Sequence, residues 1–533
     1  MKRFCIAAMM ALGIVSCVNI DERLGGDFVA TNQKYDIYTA EIPLEEIQMR
    51  TVDSLVAFSS KRITFGSIRD DEFGLSRRGS VVTLVPVLDT FDFGKNPKFS
   101  KFTFRCGGDS ISVSDKSQMK ILQNVNVYEL TEPIDNTKDF AQSEIKHGSK
   151  RITKGVPIVN GSDSLVFEFN EEYGKKYFDI TQEDLEDLDR YTKKFPGIYL
   201  TTDDPAGNGG RFNMFSFDIM ESSNGYMTRK DNYAVLYFNS EYEGERKDSL
   251  LMFYFSPTKM QDLDSLMNKN TLPSQYVFNV DYHERTSEYE GVAKDKIYIE
   301  GGSGIKPMVP SEHIRDLVRK AVTDRGGDPK TALITKATIE LPFTFPEDYE
   351  SMFKYPMTLS PTIKISQDST VTYAGLTDAS ISTENQGDIN RSLCEYAPDI
   401  THHIQQILRL DDDADFDRYD IWFLIMWYAT NTTYNADAGE LADYYQQLAY
   451  YSYYNAIYGG GYGGYGGGYG GYSNMYSGYY SYLMMAQYAS SAATTTSTSA
   501  EMDKDHYYCA TLNGPESTDR KPMLKICFAL PKK

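Results

Sequence analysis

The sequence is short of basic residues: it contains 54 Lys and Arg against 75 Asp and Glu, which gives a formal net charge of −21 at pH 7. Proteins that bind nucleic acid gain affinity when clustered Lys and Arg side chains displace counterions from phosphates. No run of basic residues here is long enough to offset the overall repulsion. The composition therefore argues against nucleic acid as a partner and disfavours binding to a bare anionic lipid surface.

Common catalytic motifs are also missing. The sequence contains no Gly-x-Ser-x-Gly, no His-Glu-x-x-His, no Cys-x-x-Cys and no phosphate-binding loop that ends in Gly-Lys-Ser/Thr. These absences favour a protein that is not an enzyme, and we assign no catalytic residue. The alternative left open is a pair of carboxylates at the separation that a glycosidase needs, because sequence does not reveal such distances.

The apolar run at residues 4–15 is too short to span a bilayer, which takes about 20 apolar residues. Lys2 and Arg3 precede it, and the following Ser16-Cys17 completes a bacterial lipobox pattern. We expect a signal peptide over residues 1–16, an acylated Cys17 that inserts into the lipid bilayer, and a tether over residues 17–33. A short buried core segment is the alternative interpretation of the same run.

Cysteine is scarce, with six residues in the chain. Four of them lie beyond the expected lipidation site: Cys106, Cys394, Cys509 and Cys527. An exported protein can form disulfides, and three connectivities are open. The last two cysteines lie in segments that resemble the strands of a hairpin centred on Thr518, which would place them opposite each other. Cys509 and Cys527 are therefore the candidate disulfide, with two unbridged thiols as the alternative.

Short runs with period-two alternation, rich in Tyr, Val, Ile, Phe and Thr, fill the chain from residue 34 onward, and turn residues separate them. Helical patterns are few and short: one helix is predicted in TQEDLEDLDRYTKKF with Thr181 as its cap, one in SEHIRDLVRKAV with Ser311 as its cap, and one in DITHHIQQILRL. This organisation predicts an all-β to β-rich α+β fold, with antiparallel β-sandwich-like units and a few short helices. From the length we expect two β-rich domains, at residues 34–256 and 268–533, with a short helix-like segment between them.

One segment departs from this pattern. Residues 444–500 contain no Asp, Glu, Lys, Arg or Pro, and their centre is almost entirely Gly and Tyr. We interpret residues 437–505 as a low-complexity Tyr/Gly-rich insertion that interrupts the second domain. We expect that residues 444–500 can be deleted without unfolding the protein. Its tyrosines are candidates for gripping a partner or a glycan. A disordered loop without a specific ligand is the alternative interpretation.

Metal and phosphate sites have weak signals. Gly301-Gly302-Ser303-Gly304 follows a strand but does not open a helix, so a turn is predicted there instead of a phosphate site. His402 and His403 would point in different directions on a helix, which favours ordinary histidines over metal ligands. Asp411, Asp413, Asp415 and Asp417 alternate like the first ligands of a Ca²⁺ loop, but Phe416 and Trp422 replace its glycine and its bidentate glutamate. A solvated acidic turn is the stronger interpretation, and no cofactor is expected.

Several phrases together resemble a known family. They are RITFGSIRDDEFGLSRRGSVVTLVPV, FPGIYLTTDDPAGNGGRF, YIEGGSGIKPMV, LITKATIELPF and APDITHHIQQILR, in this order behind a lipobox. The chain resembles a domain-of-unknown-function family of Bacteroidota outer-membrane lipoproteins over nearly its whole mature length, except residues 437–505. The resemblance implies no activity, and only Cys17 transfers as a functional position. It also implies an outer-membrane location facing the cell surface, since Asp21-Glu22 is similar to the acidic export signals of such lipoproteins.

The same resemblance implies O-glycosylation, because exported proteins of that phylum are modified at Asp-Ser/Thr followed by an apolar residue or Thr. Six triplets fit, with these acceptors: Ser54, Ser110, Ser164, Ser249, Ser265 and Ser369. The alternative is ordinary turn chemistry of Asp-Ser pairs.

Three functions stay open at this point. The first is a non-enzymatic surface lipoprotein that binds or supports another envelope component, such as an outer-membrane protein or an envelope glycan. The second is a nutrient-capture lipoprotein for glycan or peptide, and the third is a surface hydrolase.

Overall fold

The computed structural model describes residues 34–52, 58–59, 62–108, 121–134, 144–161, 164–216, 220–223, 226–229, 232–255, 277–367, 370–380, 385–434, 485 and 494–532. The described chain is strand-rich, with several antiparallel sheets and a few short helices. The predicted β-rich, sandwich-like fold class is confirmed.

The first strands in chain order are β1 (Tyr35–Pro43), β2 (Gln48–Thr51), β3 (Phe58–Ser59), β4 (Arg62–Asp70), β5 (Gly74–Val82), β6 (Leu84–Pro86), β7 (Lys95–Cys106) and β8 (Gln123–Leu130). They are followed by β9 (His147–Arg151), β10 (Ile158–Val159), β11 (Leu165–Phe169), β12 (Ile198–Thr202), β13 (Gly209–Ser216), β14 (Met220–Ser223), β15 (Tyr226–Arg229), β16 (Tyr233–Tyr242) and β17 (Glu245–Phe255).

The remaining strands begin with β18 (Val277–His283), β19 (Gly291–Val292), β20 (Lys296–Glu300), β21 (Ile305–Val309), β22 (Leu333–Pro342), β23 (Leu359–Gln367) and β24 (Thr370–Gly375). The last are β25 (Ile389–Asn390), β26 (Glu395–Tyr396), β27 (Ile421–Tyr434), β28 (Thr494–Met502), β29 (Cys509–Asn513) and β30 (Met523–Pro531).

The α-helices are α1 (Glu171–Lys176), α2 (Gln182–Glu186), α3 (Leu188–Lys194), α4 (Thr286–Tyr289), α5 (Ser311–Asp324) and α6 (Thr401–Leu408). Single 3₁₀ turns occupy Tyr177–Asp179, Tyr349–Lys354, Thr377–Ser380 and Phe416–Tyr419. Within the described ranges, none of these helices is long and apolar enough to cross a bilayer.

Antiparallel pairing assembles the strands into sheets. A nine-stranded sheet has the path β10-β8-β12-β5-β18-β3, with β4, β13 and β9 attached to it, and a five-stranded sheet has the order β11-β7-β16-β17-β6. The other large sheets are β1-β30-β22-β26-β25 and β19-β2-β21-β27-β23-β24, with β28 paired to β27. The pairs β14-β15 and β20-β29 complete the set. Alternating apolar residues of facing sheets meet in the core, as in a sandwich.

Two main hydrophobic clusters form the core. One collects buried side chains between Ile63 and Val277, and the other joins residues 44–49 to side chains between Ala293 and Leu530. Strand pairing crosses the predicted boundary, because β1 pairs with β30 and β18 pairs with β5. The division into residues 34–256 and 268–533 stays a prediction, and the segment expected to separate them lies outside the described residues.

The C-terminal limit of the predicted insertion is corrected by β28. All nine residues of this strand pair with β27, from Met426 opposite Met502 to Tyr434 opposite Thr494. The run of Thr and Ser at 494–499 looked like low complexity, but these are also residues that suit a strand. Residues 494–502 therefore belong to a sheet and not to the insertion.

Candidate functional site

A cleft of about 480 Å³ is the candidate functional site. One wall is formed by β4 and the residue that follows it, by β13 and by the loop before β13, which contribute Asp70, Asp71 and Asn208. The opposite wall is formed by the 3₁₀ turn Tyr349–Lys354, here called the cleft helix, and by residues 505–507. Its volume is in the range of small-ligand sites.

Close pairing of β4 with β13 shapes the first wall. Gly210 lies opposite Ile68 with φ +98°, and a Cβ at Gly210 would lie 2.1 Å from the carbonyl oxygen of Ser67. Only glycine fits this approach. The preceding loop is held at its base, where Asp203 accepts hydrogen bonds from Asn124 (2.9 Å) and Asn126 (2.8 Å). A second groove, of about 430 Å³, lies on the far side of the same loop.

The cleft helix is fixed at its start and at its centre. The carboxylate of Asp348 accepts a hydrogen bond from the backbone N–H of Glu350 (3.0 Å), which is a helix N-cap. Met352 is buried in the second hydrophobic cluster. Because these two contacts set the orientation of the turn, Glu350 and Lys354 line the cleft while Tyr349 is exposed to solvent.

An ion pair joins the two walls. Lys354 Nζ lies 2.8 Å from Asp70 Oδ2, and Asp70 Oδ1 also accepts hydrogen bonds from the backbone N–H groups of Glu72 and Phe73. Burial by itself raises the pKa of Asp70, but the hydrogen bond and charge of Lys354 and the two backbone donors outweigh it and lower the pKa. Asp70 is therefore ionised at neutral pH, and both of its carboxylate oxygens are engaged by other groups of the chain.

A buried group of charges, here called the ion cluster, lies behind the cleft. It consists of Arg78, Asp281, His283, Glu300 and Lys306, all largely excluded from solvent. Arg78 Nε lies 3.0 Å from Asp281 Oδ1. The imidazole of His283 bridges the two carboxylates, with Nε2 at 3.0 Å from Asp281 Oδ2 and Nδ1 at 3.0 Å from Glu300 Oε1.

Mutual pairing sets the charges of this cluster. Burial by itself lowers the pKa of His283, but the two carboxylates outweigh it and raise the pKa to about 9. Burial by itself raises the pKa values of Asp281 and Glu300, but both are lowered, because the charge and hydrogen bonds of His283 act together with a second cation and a backbone N–H donor at each carboxylate. Buried charges of this kind are tolerated only when they are paired and hydrogen-bonded.

The turn predicted at residues 301–304 is confirmed, and it completes the ion cluster. Gly302 has φ +55°, and a Cβ there would lie 1.9 Å from Asp281 Oδ2. Ser303 donates its backbone N–H to the same oxygen (2.8 Å). The turn also wraps around Lys306, whose ammonium donates hydrogen bonds to three carbonyl oxygens, those of Glu300, Gly302 and Gly304. Burial lowers the pKa of Lys306 to about 8.

The ion cluster holds one wall of the cleft. Arg78 donates hydrogen bonds to the carbonyl oxygens of Asp505 and His506, and its guanidinium lies 4.3 Å from the ring centroid of Phe212. These three partners all line the cleft. Asp503 adds a local clamp, since its carboxylate accepts from the backbone N–H of His506 (3.0 Å) and lies 2.8 Å from its Nδ1. The sequence did not reveal this segment as part of a site, because residues 503–505 fell inside the predicted insertion at 437–505.

The candidate modification sites have mixed positions. Cys17 and four of the candidate glycosylation sites lie outside the described residues: Ser54, Ser110, Ser265 and Ser369. Ser164 is exposed just before β11, and Ser249 is half-buried within β17. Glycosylation of these serines stays a prediction.

The prediction of a hairpin that places Cys509 opposite Cys527 is wrong. Cys509 in β29 lies opposite Glu300 of β20, whereas Cys527 in β30 lies between Thr39 of β1 and Lys336 of β22. Each strand finds its partner elsewhere in the chain, so the two cysteines are not cross-strand neighbours. Cys509 and Cys527 are both free thiols. Burial raises the pKa of the Cys509 thiol to about 12.

The acidic run after α6 is a solvent-facing turn. Asp411, Asp413, Asp415 and Asp417 are exposed. The intervening Asp412 makes the ion pairs instead, with Arg319 (2.7 Å) and Arg315. Among the described residues, no group of three or more His, Cys, Asp or Glu side chains is arranged to hold a metal ion.

The two adjacent histidines of α6 point in different directions, as expected. His402 is exposed, whereas His403 is buried with Nε2 at 2.8 Å from the carbonyl oxygen of Tyr419. Burial lowers the pKa of His403 to about 4.

Comparisons of the chain with protein-family models, with curated proteins and with solved structures find no match. The resemblance to outer-membrane lipoproteins therefore stays a prediction.

Proposed function

We propose that this protein is a lipid-anchored outer-membrane protein, facing the cell surface, that binds another envelope component through the cleft without catalysing a reaction. The anchor is the acylated Cys17 expected from the lipobox. The ligand site is the cleft between β4, β13 and the cleft helix, whose size suits a small ligand or a protruding part of a larger one.

The observation that carries the proposal is that carboxylates of the cleft are occupied by the chain itself. Asp70 is paired with Lys354, Asp348 caps the cleft helix, and Asp505 lies 3.2 Å from the guanidinium of Arg62. Such carboxylates shape and polarise a surface, but they are held in place by the partners that a catalytic group would have to release.

A hydrolase has less support. Its general acid needs a raised pKa, whereas the pKa of Asp70 is lowered. Burial does raise the pKa of Asp420 to about 6, but Asp420 accepts a hydrogen bond from the backbone N–H of Ser311 at the start of α5. Asp378, whose pKa is also raised by burial, similarly accepts from backbone N–H groups of α6. Both carboxylates act as helix caps.

Affinity isolation from detergent-solubilised outer membranes, with and without a cleft variant, tests the proposal. Glu350→Arg reverses an exposed charge in the cleft, and Glu312→Arg makes the same change on the exposed face of α5. We expect the wild type and Glu312→Arg to retain the same envelope component and Glu350→Arg to lose it. Equal retention by all three proteins would place the binding surface elsewhere.

Nutrient capture is a second candidate, because exposed aromatic rings lie beside the cleft. Glycan and peptide are the two ligand classes open to such a protein.

A further inference from the structure

Three exposed aromatic side chains form a ridge at the cleft helix, here called the aromatic rim. They are Phe345, Tyr349 and Phe353, whose exposed fractions are 43%, 61% and 47%. The ring centroids of Phe345 and Tyr349 lie 6.3 Å apart and their planes differ by 28°, while Phe353 lies 6.0 Å from Tyr349 almost at right angles. The rings contact one another and still present much of their surface to water.

Two other aromatic side chains of the same segment differ from the rim in their exposure to solvent. Phe343 and Tyr355, on either side of the rim, are buried, and the hydroxyl of Tyr355 donates a hydrogen bond to the carbonyl oxygen of Thr511 (3.1 Å). Other aromatic side chains of this segment are therefore buried by the fold. The exposed rings of Phe345, Tyr349 and Phe353 together leave a large apolar surface that a ligand can cover.

The rim and the cleft share one structural element. Tyr349 and Phe353 alternate with Glu350, Ser351 and Lys354 along the cleft helix, and the last three line the cleft. A ligand lying along this element contacts aromatic faces on one side and charged or hydroxyl groups on the other. It must therefore carry both apolar faces and many hydrogen-bonding groups.

Charge narrows the class of ligand. Five acidic residues line the cleft against three basic ones, and the chain as a whole carries −21: the acidic residues are Asp70, Asp71, Asp348, Glu350 and Asp505, and the basic ones are Arg69, Arg211 and Lys354. An anionic ligand would meet repulsion on approach and at the site. Carboxylates are strong hydrogen-bond acceptors for hydroxyl groups, and Asn208 offers both a donor and an acceptor.

A peptide fits less well. A peptide anchor side chain needs an open apolar pocket, but Phe212 and Met214 of the cleft are only 3% and 2% exposed. The ion pair of Lys354 and Asp70 lies among the residues that line the cleft, so polar groups stand beside apolar surface there. Sugars match such a surface, because a pyranose has an apolar C–H face and a rim of hydroxyl groups.

Resting on the proposed binding function, we infer that the cleft and the aromatic rim bind an uncharged oligosaccharide. Its sugar rings stack on Tyr349 and its neighbours, and its hydroxyl groups bond to the carboxylates of Asp71 and Glu350 and to the amide of Asn208.

The test uses the full-length protein in detergent on an array of neutral hexose oligosaccharides and of oligosaccharides that contain uronic acid or sulfate, followed by calorimetric titration of the best binder. We expect binding to a neutral oligosaccharide and about a tenfold weaker affinity for Tyr349→Ala, the loss expected for one stacking ring. Glu350→Gln should weaken binding as well. The matched control is Tyr35→Ala, since Tyr35 is 45% exposed on β1, in a different sheet, and its removal should leave affinity unchanged.

Thermal unfolding of every variant identifies any change in affinity that reflects misfolding. Because the substituted aromatic rings are exposed, we expect the variants to keep the melting temperature of the wild type. Binding to no neutral oligosaccharide, a preference for acidic ones, or equal affinity of wild type and Tyr349→Ala overturns the inference. If no sugar binds but Glu350→Arg still abolishes retention of an envelope protein, the proposed binding function stands and the oligosaccharide is wrong. If neither sugar nor envelope component binds, both fail.

Discussion

Replacing His283 by Gln tests whether a charged imidazole at the centre of the ion cluster stabilises the fold. The folded-state pKa of His283 is raised from 6.5 to about 9, so the folded protein holds a proton that the unfolded chain releases. The stabilisation is complete below pH 6.5 and is lost as the pH rises through 9. A difference of about 2.5 pH units corresponds to about 3 kcal/mol of unfolding free energy.

Urea unfolding of the wild type and His283→Gln between about pH 6 and about pH 10 measures this effect. The wild-type free energy of unfolding should decline from pH 6.5 towards pH 9, and the decline should be absent in the variant. Lys306 acts in the opposite sense, because burial lowers its pKa from 10.5 to about 8. The folded protein releases this proton first, so stability rises from pH 8 to pH 10.5. Lys306→Met should abolish that rise and leave the decline from His283 uninterrupted.

The control is His402→Gln, which removes an exposed imidazole from α6 and should leave the pH dependence of the wild type unchanged. Parallel stability curves for the wild type and His283→Gln between pH 6.5 and pH 9 would refute the reasoning. They would mean that His283 is not charged in the folded protein, and that its contacts with Asp281 and Glu300 are those of a neutral ring.

Four further outcomes are expected. Cys17→Ala should release the protein from the membrane fraction, and continued sedimentation with outer membranes would contradict the lipobox. Deleting residues 437–491 with a short Gly/Ser bridge should preserve the melting transition, because loop closure changes by only about 0.6 kcal/mol per doubling of length. Deleting residues 444–500 should instead lower the melting temperature, because it removes most of β28. Gly302→Ala should destabilise the fold more than Gly326→Ala, since both positions have positive φ but only Gly302 would clash with a carboxylate; equal urea midpoints would show that the turn relaxes. Intact mass should exceed polypeptide plus lipid if the candidate serines are glycosylated, and equality would remove that hypothesis.

Sequence patterns predicted helix boundaries well where contacts between neighbouring residues determine them. Thr181 is the expected cap, with a capping box to Asp184, but the predicted single helix divides at Asp187, which is extended and caps α3 with its own side chain. Ser311 is not a cap, because α5 begins at this residue and the distant Asp420 accepts its backbone N–H. The division of the first helix has a local signal, because Asp187 inside the predicted run is a residue that favours a helix N-cap. The second depends on a contact between residues more than one hundred positions apart, which no local pattern contains.

The ion cluster was beyond sequence reasoning for the same reason. Arg78 and Asp281 meet because β5 and β18 pair, and this register joins positions about two hundred residues apart. The one local signal was Lys306, which lies six residues after the end of β20 and two residues after a turn of glycines, in a run that is otherwise apolar. A lysine in such a run indicates either a strand edge or a buried ammonium, and the carbonyl oxygens of the turn decide for the latter.

The ion cluster is better explained by the position of the cleft wall than by stability. Pairs of buried charges often add little net stability compared with apolar side chains of similar volume, whereas removing one partner costs about 3–5 kcal/mol. An apolar replacement of the whole cluster would therefore preserve a core, but it would not hold the carbonyl oxygens of Asp505 and His506, which require a donor such as Arg78. Arg78 can reach them only because Asp281 balances its charge, and Asp281 is oriented by His283 and by the turn at Gly302. The segment after β28 thus owes its place at the cleft to charged residues of β5, β18 and β20. A change at His283 should therefore alter ligand affinity even though His283 is not among the residues that line the cleft.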